Sequence, residues 1–162
     1  MLLYLLRHGD ALESGYYDIS RPLSLIGEEQ AKVTADMLVT FKISVELILS
    51  SPLLRAKQMA EIIRKAIGDV EHSVTEYLVP GANERQLFRQ LSDCNKRAVL
   101  LIGHEPHLRT FASLMIGGSR QSQIEVKKGT LMCLETTMPV KPESGVLKWM
   151  LAADQMKQLL AR

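Results

Sequence analysis

Three short and almost unbroken apolar runs stand out along the chain. They cover residues 2–6, 45–49 and 98–102. A run of this length without alternation is typical of a strand buried on both faces, as in a parallel sheet that helices cover on both sides. The same runs are far too short to cross a bilayer, so the pattern indicates strands of a globular domain rather than membrane spans.

Apolar residues at helical spacing follow each of these runs. They predict four helices, over residues 24–40, 51–68, 83–92 and 106–116. In the second helix we expect Ser51 to act as the cap and Pro52 to take the first helical position. Two further strands are predicted over 129–137 and 145–152, and a short terminal helix over 154–160. Only a short loop is expected from Glu71 to Asn83.

The alternation of strands and helices defines the expected fold class. Right-handed crossovers between such elements give an α/β, three-layer domain with a mostly parallel central sheet and helices on both faces. We expect one such domain over residues 1–162, because the length suits a single domain. In this architecture ligands bind beyond the carboxyl ends of the strands.

Composition excludes several classes of protein. With 46% hydrophobic and 23% charged residues, the chain is neither disordered nor collagen-like nor a coiled coil. A net charge of +2 gives no field that requires nucleic acid or a membrane surface as partner. The two cysteines, Cys94 and Cys133, have no metal-ligand or disulfide spacing. No signal peptide is evident, so we expect a cytoplasmic protein. We also expect a monomer.

Basic side chains follow two of the predicted strands. Arg7-His8-Gly9 ends the first, and Gly103-His104 ends the strand over 98–102. A single histidine at such a place is as often an ordinary loop residue held by the backbone. Two histidines at equivalent strand ends, one of them directly after an arginine, favour a functional site at this edge of the sheet.

Two further arginines fit the same site. Arg55 lies in the first turn of the helix after Ser51-Pro52, where the helix dipole makes a cation mildly unfavourable. An anion held between the helix N-terminus and the guanidinium would explain it, and phosphate suits such a cradle. Arg21 precedes the first helix; alone it is an ordinary surface residue, but beside Arg7 and Arg55 it becomes a candidate for closing the pocket.

This cationic group of side chains suggests phosphoryl chemistry. A neutral imidazole can attack phosphorus and form a phosphohistidine, while arginines offset the charge on the equatorial oxygens. The sequence has no carboxylate cluster that suggests a metal, and we expect no metal and no other cofactor.

The combined motifs resemble the histidine phosphatase (phosphoglycerate-mutase-like) superfamily over residues 1–152. The resemblance rests on Arg7-His8-Gly9, Ser51-Pro52-x-x-Arg55-Ala56 and Gly103-His104, in this order and each at a strand end. The small size, Arg7-His8-Gly9-Asp10-Ala11, Arg21-Pro22-Leu23-Ser24-x-x-Gly27 and Leu78-Val79-Pro80-Gly81 are similar to the compact SixA-type phosphohistidine phosphatases. Larger relatives carry an insertion where this chain has only the segment from Glu71 to Asn83.

The resemblance implies a role for each matched residue. His8 would be the nucleophile that is transiently phosphorylated, and Arg7 and Arg55 would hold the phosphoryl oxygens. His104 would match the second histidine, which donates a hydrogen bond to the phosphate, and Arg21 a pocket arginine of the compact branch. The expected reaction is hydrolysis of a phosphohistidine on a signalling protein, which an open and shallow pocket would admit.

The general acid is not fixed by the motifs. Glu76 is the nearest positional match to the acid of larger relatives, and Glu84 and Asp18 are alternatives, although each can equally be an exposed loop carboxylate. An imidazole leaving group needs less help from an acid than an alkoxide does, so the absence of an obvious acid fits phosphoramidate substrates.

Other functions remain open at this point. The same residues suit the hydrolysis of a small phosphate monoester. A module that only binds a phosphorylated partner would need the arginines but not two histidines. A metal site formed by His8, His104 and His107 is a third alternative, and it predicts loss of activity with a chelator.

Overall fold

The computed structural model describes residues 1–13, 15, 17–68 and 70–162. Its strands are β1 (Leu2–Arg7), β2 (Leu47–Ser50), β3 (Glu71–Val74), β4 (Ala98–Gly103), β5 (Leu131–Thr136) and β6 (Gly145–Leu151). Its helices are α1 (Leu25–Thr40), α2 (Leu54–Ile67), α3 (Glu84–Ser92), α4 (His107–Gly117) and α5 (Ala153–Leu160). Short 3₁₀ turns lie at Asp18–Ser20 and Glu76–Leu78.

All six strands form one sheet, in the order β3-β2-β4-β1-β5-β6. The four strands from β3 to β1 are parallel, and β5 runs antiparallel to both of its neighbours. This arrangement confirms the predicted α/β domain with a mostly parallel sheet. Within the described residues, no helix combines the length and the apolar character needed to span a membrane.

The strands are apolar on both sides because helices cover both faces of the sheet. In β1, Tyr4 and Leu6 pack into one core with α1, α2 and α5, whereas Leu3 and Leu5 pack into the other with α3 and α4. All four side chains are nearly inaccessible to solvent. The unbroken apolar run in the sequence therefore has its origin in two separate cores, one on each face.

The segment from Glu71 to Asn83 is more than the loop that the sequence predicted. It contains β3, which pairs in parallel with β2, and the 3₁₀ turn at Glu76–Leu78. The strand has no apolar run because it lies at the edge of the sheet, with three of its four residues exposed. An exposed edge strand places little demand on apolar side chains, so the pattern could not reveal it.

The predicted start of α2 was also wrong. The helix begins at Leu54, with Leu53 as its N-cap and no side-chain cap. Ser51 is buried, and its backbone N–H donates to Ile102 O at 3.0 Å. This hydrogen bond keeps Ser51 beside β4, so neither Ser51 nor Pro52 can turn into the helix.

Candidate active site

The two histidines after β1 and β4 lie side by side. The register of these parallel strands pairs Arg7 with Gly103, and the backbone N–H of His8 donates to Gly103 O at 3.0 Å. The next residue of each strand thus leaves the sheet at the same edge. The rings of His8 and His104 are 4.8 Å apart between centroids and inclined by 51°.

Hydrogen bonds define the tautomer of His8. Its Nδ1 lies 2.6 Å from the carbonyl oxygen of Gly9, which can only accept, so the ring proton belongs on Nδ1. The Nε–H of Arg55 points at His8 Nε2 at 3.3 Å, which requires a lone pair on that nitrogen. The ring is therefore neutral, with an unprotonated Nε2 that faces Arg55.

Burial keeps His8 in this neutral form. It lowers the pKa of His8 to about 4; the hydrogen bond to Gly9 opposes the fall, and the charges of Arg55, Arg7 and Lys128 add to it. The pKa falls because a second proton would give the ring a positive charge, which burial and the nearby cations both disfavour. At neutral pH the Nε2 lone pair is available for attack on an electrophile.

His104 has no hydrogen-bond partner for either ring nitrogen among the described residues. The side chain is almost fully buried, and burial together with the neighbouring His8 ring and Arg55 holds the pKa of His104 far below its usual value. A buried polar group without a partner is rare in a native structure and needs an explanation. A ligand oxygen beside His8 would supply the missing partner.

Arg55 is the most constrained cation of the site. Its Nη1 donates to the backbone oxygen of Asp18 at 2.7 Å, and its Nη2 lies 3.3 Å from the Asp18 carboxylate. Together with the Nε contact to His8, these bonds hold the guanidinium in one orientation beside the imidazole. The Asp18 carboxylate lies where an anion on Arg55 would bind, so any such anion competes with Asp18.

Arg7 and Arg21 complete the group of basic side chains. Arg7 Nη1 donates to Val126 O at 2.7 Å, while its buried Nε has no hydrogen-bond partner among the described residues. Arg21 Nε lies 3.7 Å from the Asp18 carboxylate, and the charge of Arg21 acts on Arg55. The structure thus brings Arg21 to the Asp18–Arg55 side of the site, while its part in binding remains a prediction.

Close packing fixes the loop that carries His8. A Cβ on Gly9 would lie 2.8 Å from Gly27 O, and a Cβ on Gly27 would overlap the backbone oxygen of Asp10. The Ser24 hydroxyl, the N-cap of α1, also donates to Asp10 Oδ2 at 2.6 Å. The first turn of α1 therefore lies directly against the backbone after His8.

The three candidate acids differ in their surroundings. Glu76 lies exposed in the 3₁₀ turn after β3. Asp18 is the anion on Arg55 described above. Glu84 is buried at the start of α3 and binds Arg120 with both oxygens, at 3.2 and 2.8 Å. Glu84 is therefore not the exposed loop carboxylate that the sequence allowed. Its burial could not be predicted, because its partner Arg120 lies in the loop after α4, far away in the sequence.

Two further basic residues lie near the site: Lys128, which the sequence did not signal, and His107, which it offered only as a metal ligand. Lys128 lies in a turn, but its Nζ is 2.7 Å from Asp10 Oδ1 and its charge acts on His8. His107, one turn after His104, is buried rather than exposed, and its burial lowers its pKa. No local pattern could have signalled Lys128, because its contact with Asp10 joins segments that are far apart in the sequence.

The side chains at the centre of the site are nearly inaccessible, although the sequence led us to expect an open, shallow pocket. The accessible fraction is 5% for His8, 4% for Arg55 and 1% for His104. Within the part of the chain that the structure describes, no three His, Cys, Asp or Glu side chains come together as a metal site. Chemically, the site offers an unprotonated imidazole nitrogen on His8, fixed guanidinium groups and a second imidazole, that of His104, for which the described residues supply no hydrogen-bond partner.

Comparison with known proteins identifies the class. The family model for the histidine phosphatase superfamily (branch 1) matches residues 3–79. An uncharacterised protein of Picosynechococcus sp. is 34% identical over 142 residues, which are 84% of this chain and 86% of that protein. The chain belongs to the histidine phosphatase superfamily.

SixA proteins are among the similar proteins that carry a named activity. Phosphohistidine phosphatase SixA of Escherichia coli K12 is 38% identical over 61 residues, 38% of this chain and 38% of that protein. The solved structure of the protein histidine phosphatase SixA complexed with tungstate superposes with a TM-score of 0.84. It is 23% identical and covers 95% of this chain and 98% of the other, which demonstrates a shared fold.

Proposed function

We propose that this protein is a phosphatase that hydrolyses phosphohistidine on a signalling protein, through a phosphorylated His8. The observation that carries the proposal is the state of His8: a neutral ring whose Nε2 lone pair faces a fixed guanidinium. The SixA proteins to which the chain is similar are phosphohistidine phosphatases by name, and one of them binds tungstate, a tetrahedral oxyanion like phosphate.

The neighbouring side chains suit a phosphoryl group. In the proposal, Arg7 and Arg55 bind its oxygens and Arg21 adds charge at the side of Asp18. His104 donates a hydrogen bond from a ring nitrogen to which no described residue is hydrogen-bonded. Binding requires the anion to displace Asp18 from the Nη atoms of Arg55 and to separate its Nε from His8. Charge-assisted hydrogen bonds to a dianion are strong enough to replace these contacts.

The proposed reaction has two displacements. The Nε2 lone pair of His8 attacks phosphorus and forms a P–N bond while the P–N bond to the substrate imidazole breaks; the leaving nitrogen keeps that electron pair and takes a proton. Water then attacks phospho-His8, loses a proton, and releases inorganic phosphate, and the electron pair returns to Nε2. The carbonyl of Gly9 accepts from Nδ1 in both steps and stabilises the positive ring of the intermediate.

The demand for an acid is small in this reaction. Imidazole is a better leaving group than an alkoxide, so an exposed carboxylate such as Glu76, or water, is sufficient. We propose Glu76 as the general acid, with a larger contribution for alkyl phosphates than for phosphohistidine. Phosphohistidine turnover should then depend little on Glu76.

The test is hydrolysis of a phosphohistidine-bearing protein and of p-nitrophenyl phosphate in the presence of EDTA. The proposal predicts turnover of the phosphoprotein by the wild type and none by His8→Asn. His72→Asn is the matched control, because His72 lies in β3 with Nε2 on the Ser50 hydroxyl. Turnover of the ester alone would favour a small-molecule phosphatase, and tight phosphate binding without turnover would favour a binding module. Inhibition by EDTA would favour a metal enzyme.

A further inference from the structure

The apolar side chains that are most exposed to solvent are concentrated in ten residues. Among the described residues, the four large hydrophobic side chains with the highest exposure are Tyr17 at 87%, Leu25 at 85%, Ile26 at 65% and Ile19 at 62%. Single exposed apolar residues are ordinary on a protein surface, but a cluster bounded by polar groups marks an interaction site. The segment from 17 to 26 needs such an explanation.

This segment lies against the candidate active site at two points. Ile19 is the middle residue of the 3₁₀ turn whose first residue, Asp18, binds Arg55 through both its backbone oxygen and its carboxylate. Tyr17 is the residue before that turn, and the Ser20 hydroxyl donates to its carbonyl oxygen at 3.1 Å. Two exposed apolar side chains thus flank the residue that covers the guanidinium.

Leu25 and Ile26 lie between two residues that contact the loop after His8, namely Ser24 and Gly27. They are the first two residues of α1, and this turn packs on Gly9 so tightly that a Cβ on Gly9 would lie 2.8 Å from Gly27 O. Leu12, also exposed, donates its backbone N–H to Pro22 O at 3.0 Å and so ties the loop after His8 to the same segment. The exposed apolar residues therefore border the site instead of lying apart from it.

We propose that Tyr17, Ile19, Leu25 and Ile26 form a docking surface for the protein that carries the phosphorylated histidine. This inference rests on the proposed function and specifies how the substrate is recognised. The partner has to present apolar side chains around its phosphohistidine, because the docking surface offers apolar contacts on both sides of Asp18.

The burial of the site residues beside an exposed apolar segment supports a protein as the occupant of this surface. His8 is nearly inaccessible, and in the proposal only the phosphoryl-bearing end of the substrate contacts it. The rest of the molecule stays outside, where it meets the docking surface. A small phosphate ester is too short to contact Leu25 and Ile26 while it reacts at His8. With such a substrate, the exposed apolar side chains would make no contact.

The test compares two substrates in two variants. The first substrate is a histidine-containing phosphotransfer domain phosphorylated with phosphoramidate, and the second is free phosphohistidine. The variants are Ile19→Gln and the double change Leu25→Gln with Ile26→Gln. Val39→Gln is the matched control, because Val39 is an exposed apolar residue in the last turn of the same helix, away from the site.

We expect the two variants to lower kcat/KM for the phosphorylated phosphotransfer domain by roughly tenfold or more. The loss should appear mainly in KM, because apolar contacts buried at the interface are removed. Turnover of free phosphohistidine should change by less than about twofold, as for an ordinary surface substitution. The control should leave both substrates unaffected.

Several results would overturn the docking surface. Equal losses on both substrates would mean that the residues act on the pocket itself. Unchanged kcat/KM on the phosphorylated domain would refute the docking surface. If the same variants also dissociated a dimer in sedimentation, the apolar residues would be assigned to contacts with a second copy. If the wild type hydrolysed free phosphohistidine but not the phosphorylated domain, the docking surface would be refuted while the proposed role of His8 would stand. If the wild type hydrolysed neither substrate, the proposed function itself would be refuted.

Discussion

The protonation state of His8 gives a prediction that can be worked out in numbers. The structure holds the pKa of His8 at about 4, against 6.5 for an ordinary imidazole. At pH 5.5, a ring with this pKa stays more than about nine-tenths neutral, whereas an ordinary one would be only about one-tenth neutral. Lowering the pH from 7.5 to 5.5 should therefore leave His8 uncharged, and the nucleophile should be lost only as the pH falls through about 4.

The assay is a titration of ¹⁵N-labelled protein followed by NMR. The chain has four histidines, and His8→Asn identifies the signal of His8 by its loss. At pH 5.5 we expect Nδ1 to carry the proton and Nε2 to have the shift of an unprotonated nitrogen, as the bonds to Gly9 and Arg55 require. Arg55→Met should raise the pKa of His8 only in part, since burial is the larger cause, and Arg89→Met serves as the control because Arg89 is exposed on α3.

The same shift makes the stability of the protein depend on pH. His8 binds a proton near pH 6.5 in the unfolded chain but only near 4 in the folded one, so acidification between these values favours unfolding. The free energy of unfolding should fall by ~3 kcal/mol over this range on account of His8 alone, and His8→Asn should remove that part of the slope. A pKa of His8 near 6.5, or a proton on Nε2 at neutral pH, would refute the reasoning.

Three further predictions concern single residues. Arg55→Met should lower kcat/KM by about 10²–10³-fold and weaken inhibition by phosphate, because a fixed cation at the phosphoryl oxygens is lost; circular dichroism should be unchanged. Gly27→Ala should destabilise the fold by ~3 kcal/mol or more, since its methyl group overlaps the oxygen of Asp10. Both free energies of unfolding are measured by urea titration, and Gly117→Ala should have no such cost, because its methyl group would meet no described atom within 4 Å. Glu76→Gln should leave phosphohistidine turnover within about threefold and slow alkyl phosphates more, and a large loss on phosphohistidine would contradict the small need for an acid.

The parallel core of the fold could be predicted because burial on two faces leaves an unmistakable pattern. In β1, Leu3 and Leu5 contact one core while Tyr4 and Leu6 contact the other, so every position is apolar. The edge strand β3 was missed for the converse reason, because a strand with exposed faces tolerates polar residues. The start of α2 was misplaced because a backbone hydrogen bond of Ser51 to β4 is invisible in local sequence.

The positions of the candidate site residues followed from topology. His8 and His104 meet because parallel strands β1 and β4 end at the same edge of the sheet. The bonds of Asp18 to Arg55 and of Lys128 to Asp10 could not be predicted, since they join segments that are distant in sequence. These contacts depend on how the loops pack against one another, which local sequence does not encode.

Trapping of the intermediate tests the central claim most directly. The protein should be mixed with a ³²P-labelled phosphohistidine domain, quenched within milliseconds in alkali, where phosphohistidine survives, and mapped by tandem mass spectrometry. We expect label on His8 in the wild type and in His72→Asn, and none in His8→Asn. Label on another residue, or hydrolysis by the wild type at full rate without labelled protein at any quench time, would contradict the account.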